Sequence, residues 1–96
     1  MSATELAIHV WVEGRVQGVG FRAFVRGRAE ELGLNGWVRN SRDGRVEAWA
    51  SGESAALEAW VHAVRQGPRC AHVVSVDVQR DATHLVNAKE GFHVLH

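Results

Sequence analysis

LAIHVWVEGRVQGVGFRAFVRGRAEELG, residues 6–33, changes its hydrophobic period once, and that change decides how the chain folds. Leu6, Ile8, Val10 and Val12 alternate with their neighbours, which predicts a strand over 6–13 with one apolar face. Beyond the glycines, Phe21, Phe24, Val25, Ala29 and Leu32 fall at i, i+3, i+4, i+8 and i+11. That spacing predicts an amphipathic helix ending at Gly33, a good C-terminal stop. Gly27 inside it costs about 1 kcal/mol against alanine, or permits close packing on a sheet. Between strand and helix, Gly14–Arg22 holds three glycines and two arginines in nine positions. A plain turn needs fewer glycines, and a buried one avoids arginine.

Working outward, Leu34 to Asn40 reads as a second strand and Arg45 to Ser51 as a third. Ser41-Arg42-Asp43-Gly44 joins them as a hairpin, with Asp-Gly supplying the positive-φ positions. Leu57, Trp60, Val61 and Val64 mark a second helix starting near Gly52 or Glu53 and stopped by Gly67-Pro68. His72 to Arg80 alternates again, with Val74, Val76 and Val78 expected inward. Residues 81–90 read as a polar loop, and Gly91 to His96 as a short edge strand through Phe92 and Val94. The order βαββαβ predicts an α+β, ferredoxin-like sandwich: one mostly antiparallel sheet with two helices on one face. Trp60 belongs to a core stripe. Trp11 and Trp49 share strand phase with polar residues and are expected to shield the open face, with base stacking the alternative.

Ninety-six residues make one domain, taken as 1–96, with an ordinary 46% hydrophobic content. No apolar run nears the roughly 20 residues needed to cross a bilayer, and the first residues lack a signal-peptide pattern. Cys70 is the single cysteine, so neither an internal disulfide nor a cysteine metal cage is available, and a reduced cytoplasm is the expected setting. The net charge is zero, which disfavours nucleic acid and membrane as partners. The charge is uneven, however. Residues 14–45 carry seven arginines against Glu30, Glu31 and Asp43, a local +4 that suits a small anion better than a polyanion. Arg26 and Arg28 fit a solvated helix face.

At the glycine junction, several backbone N–H groups at a helix N-terminus are free to converge. Such a nest binds a phosphate-sized anion, helped by the helix dipole. Glycine allows the positive φ that turns successive N–H groups inward and leaves no Cβ in the ligand's way. Arg22, in the first helical turn, is placed to grip the anion bidentately, while Arg15 is free to face solvent. The spacing matches neither a Walker A motif nor a dinucleotide fingerprint. The competing reading is a tight connection with an exposed arginine. In a βαβ unit the two strands run parallel, so their C-terminal ends leave the same sheet edge. Asn40 is thereby brought near the junction, where its neutral amide can orient a water but not act as a base. Composition alone reads it as a turn asparagine.

Other candidates are weaker. His9, His62, His72, His84, His93 and His96 show no metal-ligand spacing and read as solvated. Cys70 has no identifiable activating base, and Asp43 reads as a hairpin residue rather than an acid.

Gly14-Arg15-Val16-Gln17-Gly18-Val19-Gly20-Phe21-Arg22 resembles the first signature of the acylphosphatase family. Gly36-Trp37-Val38-Arg39-Asn40-Ser41-Arg42-Asp43-Gly44-Arg45-Val46 resembles the second, and Glu47, Gly52, Gly67-Pro68, Ala71 and Val73 also fit the family pattern. The resemblance implies hydrolysis of acyl phosphates by a monomer without metal or other cofactor. It implies that Arg22 binds phosphate together with the loop amides over Gln17, Gly18, Val19, Gly20 and Phe21, and that Asn40 positions the attacking water. A non-catalytic, regulatory phosphate- or acyl-phosphate-binding module of the same fold is the alternative. An RNA-binding sheet of this topology is disfavoured by the neutral charge.

Overall fold

A computed structural model describes residues 5–81 and 90–96. The chain runs β1 (Glu5–Arg15), α1 (Phe21–Glu31), β2 (Asn35–Asn40), β3 (Val46–Glu53), α2 (Ser54–Gln66), β4 (His72–Arg80) and β5 (Phe92–Val94). The strands form one sheet in the order β4-β1-β3-β2-β5. β3 lies antiparallel between β1 and β2, so β1 and β2 run parallel, and β5 adds to β2 in parallel. This is the α+β, ferredoxin-like arrangement expected.

The alternation in β1 works as predicted. Ile8, Val10 and Val12 join Phe21, Val25 and Ala29 of α1 and Leu57, Trp60 and Val64 of α2 in one core on the helix side of the sheet. Trp60 is fully buried there and its indole N–H donates to Val25 O at 3.2 Å. α1 stops in a Schellman motif: Gly33, at φ +71°, donates to Glu30 O and Leu34 to Ala29 O. That capping bond takes the Leu34 N–H, and β2 begins one residue later than the sequence pattern predicts. β3 runs two residues further than expected because Gly52 and Glu53 continue the pairing with Leu6 and Glu5.

β4 departs from the expected phase. Its register with β1 slips beside Gly14: Glu13 faces Ser75 and Gly14 faces Val73, leaving Val74 as the extra residue of a bulge. Val74 is therefore 66% exposed, while Val73 and Val76 pack against the core. Gly14 is what allows the close approach. A Cβ there would sit 2.1 Å from His72 O. Val78 pairs with Val10 on the helix side but stays partly exposed beside α2.

The open face is shielded by tryptophan, as the strand phase predicts. Trp49 is buried and its indole N–H donates to Asp81 O at 3.1 Å. Trp11 stacks on His9 at 4.1 Å between ring centres. His9 is a correction to the solvated reading: it is part-buried, with Nε2 at 2.6 Å from Glu47 Oε2 and Nδ1 at 3.4 Å from Asp81 Oδ2. His84 and most of the expected polar loop lie outside the described residues.

Candidate active site

The junction after β1 is built by alternation in the sign of φ. Gly18 and Gly20 sit at +75° and +76°, while among the described residues none other than glycine has a positive φ. Val19 between them and Phe21 after them are therefore on the opposite side of zero. Successive residues of alternating hand point their N–H groups into one concavity, the geometry of an anion nest. A Cβ at either glycine would meet nothing within 4 Å, so the backbone conformation, not crowding, is what calls for glycine. Gly20 is the N-cap of α1, and the helix start has no side-chain cap and no acidic residue in its first turn. Its first orphan N–H groups and the positive end of its dipole remain available to an anion.

The register places Asn40 as topology predicts. Val12 and Asn40 both face Val46, one on each side, so β2 ends level with Val12 and β1 runs on past it, paired with β4, toward the glycine junction at the same sheet edge. A single cleft of about 600 Å³ collects Gly18, Gly20, Arg22 and Asn40. Asn40 Oδ1 is buried and has no hydrogen-bond partner among the described residues. A buried amide oxygen without a donor costs roughly 1–3 kcal/mol, which a bound water or ligand relieves.

Gln17 and Arg22 differ from one another in how their side chains are employed. The Gln17 amide faces away from an anion's position: Nε2 donates to Ser41 O and Arg45 O, both at 2.9 Å. Those carbonyls close the β2–β3 hairpin, where Ser41 N–H also donates to Arg45 O. Arg22 Nη1 donates to Leu95 O at 3.2 Å and lies 3.4 Å from His96 Nδ1. A guanidinium carries five N–H donors, so this anchoring leaves a fork for an anion. Phe21 is buried in the core, so only its backbone is free to meet a ligand, and Arg15 is exposed.

Several other charges pair with one another. Arg26 and Arg28 pair with Glu30 and Glu31 on the exposed face of α1. Asp43 is held down to about 2 by hydrogen bonds from the Arg45 side chain, Ser41 and the Arg45 backbone, so it stays ionised and is no acid at neutral pH. Cys70 is free and exposed, and among the described residues no group of three His, Cys, Asp or Glu could hold a metal ion.

The sequence did not reveal that the C-terminal residues Val94 and His96 line this cleft. β5 pairs parallel with β2, and Leu95 N–H extends the ladder to Val38 O at 2.8 Å. A parallel neighbour far away in sequence leaves no local mark. Asn35 is the one hint, its Oδ1 accepting from Gly91 N–H just before β5.

The acylphosphatase family profile matches residues 8–94. The chain belongs to the acylphosphatase family. It is 48% identical over 93 residues to the acylphosphatase of Salinibacter ruber, covering 97% of this chain and 96% of that one. The crystal structure of acylphosphatase from Bacillus subtilis superposes with a TM-score of 0.88 at 38% identity, over 95% of this chain and 99% of that chain. A phosphate- and nucleotide-bound full-length HypF contains a similar domain. There the TM-score is 0.86 at 27% identity, covering 96% of this chain but 12% of that chain.

Proposed function

We propose that this acylphosphatase-family chain hydrolyses the carboxyl–phosphate bond of acyl phosphates, with the nest and Arg22 holding phosphate and Asn40 holding water. The observation that carries the reading is the shared cleft, which brings Gly18, Gly20 and Arg22 from one βα junction to Asn40 from another strand's end. The phosphate's equatorial oxygens face the N–H groups over Gly18–Arg22 and the Arg22 guanidinium, so developing charge meets prearranged donors. Asn40 Oδ1, buried and otherwise unpartnered, accepts a hydrogen bond from the water and turns its lone pair toward phosphorus.

Water's oxygen then bonds to phosphorus as the phosphorus–oxygen bond to the acyl group breaks. The bonding pair leaves with the carboxylate, and water's proton passes to a phosphate oxygen. RCO–OPO₃²⁻ and water give RCOO⁻ and H₂PO₄⁻, so charge and atoms balance. A carboxylate is a stable leaving group without protonation, which explains how the site works with no general acid. Phosphoryl transfer is served mainly by positioning and charge stabilisation.

The working unit in this reading is a monomer. The free Cys70 supports a reduced, cytoplasmic setting. Among the described residues no helix is long and apolar enough to cross a membrane. The test is release of phosphate from benzoyl or acetyl phosphate with and without EDTA. Turnover indifferent to EDTA is expected. No hydrolysis above background would contradict the activity and favour a binding module, and loss of turnover with EDTA would contradict the mechanism.

A further inference from the structure

The cleft does not end at the phosphate cradle. Ala23, Arg26, Gly27 and Glu30 line it too, at i, i+3, i+4 and i+7 of α1, one stripe leading away from the nest. At about 1.5 Å per residue, this stripe carries the cleft roughly 10 Å from Ala23 to Glu30. Val94 of β5 contributes an apolar side chain to the same cleft. Gly27 is the unexplained member. A glycine inside a helix weakens it, and close packing would be a reason to keep one. That reason is absent here: a Cβ at Gly27 would meet nothing within 4 Å. The missing side chain leaves space in the cleft rather than room for a neighbouring strand.

We propose that this stripe is the subsite for the acyl group, and that Gly27 keeps it wide enough for an elongated, unbranched acyl chain. The inference rests on the acyl phosphate reading. With phosphate in the nest, the carboxyl carbon leaves the cradle beside Arg22, and the stripe is a continuous surface from there. Ala23, the bare backbone at Gly27 and Val94 offer apolar contact to the first carbons. Arg26 flanks Gly27 and pairs with Glu30, 3.3 Å apart and half-exposed, and at Glu30, the far end of the stripe, a chain terminus meets water. Ala23 and Gly27 are four residues apart, about 6 Å of helical rise, a span that a two-carbon acyl group cannot cover and a six-carbon chain can.

The experiment compares kcat/KM for hexanoyl phosphate and acetyl phosphate in the wild type, Gly27→Ala and Gly27→Leu. Alanine and leucine are strong helix formers, so both variants keep α1. The ratio of hexanoyl to acetyl kcat/KM is expected to fall by about tenfold in Gly27→Leu, through KM for hexanoyl phosphate, with Gly27→Ala between. A ratio that stays at the wild-type value in both variants overturns the subsite while leaving acyl phosphate hydrolysis standing. A wild type that hydrolyses neither substrate overturns the acyl phosphate reading, and the subsite with it.

Discussion

The two faces of the sheet treat polar groups in opposite ways, although they share strands and even adjacent residues. On the open face, Glu47 is flanked by His9 Nε2 at 2.6 Å and Arg39 Nε at 2.8 Å, and Arg39 also lies over the Trp37 ring. One residue further along β2, Asn40 turns into the cleft with its Oδ1 unpartnered among the described residues. Beside it stand an uncapped helix start and two left-handed glycines. Polar groups that find each other hold strands together, whereas those arranged toward a common space await something from solution. Ser51 Oγ is a second buried oxygen without a described partner, and nothing in the structure explains it.

The comparison breaks most visibly at Arg22. Arg22→Ala removes the only side-chain cation assigned to phosphate, and both kcat/KM and inhibition by inorganic phosphate are expected to fall, the former by about a thousandfold. Steady-state kinetics with phosphate as competitor measures both. Retained phosphate inhibition would move the anion away from Arg22.

Gln17 sharpens the comparison, because it lies in the cradle yet its side chain behaves like the open face. Gln17→Leu keeps the bulk but removes both donations to the hairpin that follows Asn40. A loss of stability of about 1–2 kcal/mol is expected in urea titration, with kcat reduced about tenfold and the phosphate inhibition constant nearly unchanged. Weakened phosphate binding instead would make the Gln17 amide a ligand group.

Glu47 tests the opposite region. Burial pushes its carboxyl up, but hydrogen bonds from His9 and Arg39 outweigh burial and hold it below the ordinary value of 4.5. A carboxyl with a depressed folded pKa stabilises the fold above its unfolded pKa, and this contribution fades as pH falls through the folded value. Glu47→Gln is therefore expected to cost about 1–2 kcal/mol at pH 7, with the gap to wild type narrowing below pH 4.5. Denaturant midpoints at several pH values read it directly, and kcat at pH 7 is expected to hold. The smallest effect belongs to Gly27→Ala, expected to stabilise the helix by about 0.5–1 kcal/mol in the same titration. Destabilisation there would mean that an added methyl group does meet a neighbour.

What the sequence disclosed follows the same division. Gly18, Gly20 and Arg22 were legible because a positive φ requires glycine and leaves a local trace. Asn40 needed one further step, the parallel arrangement of β1 and β2, which general topology supplies. The bulge was hidden, because Val74 turns outward through a register with Gly14 that no neighbour in sequence records. His9 was misread as solvated since its partners, Glu47 and Asp81, lie on other strands or beyond them. The acyl side of the cleft was equally silent: it joins a helix stripe to a C-terminal strand paired across the sheet. Local conformation is written locally, and partnerships across the sheet are not.

The central claim is that the cradle binds phosphate while Asn40 serves the water alone. Turnover of benzoyl phosphate by Asn40→Ala, measured together with its inhibition by inorganic phosphate, separates the two roles in one assay. The expected result is a kcat at least about a hundredfold lower with the phosphate inhibition constant within about twofold of wild type. Full activity in Asn40→Ala, or phosphate inhibition lost in step with turnover, would contradict it.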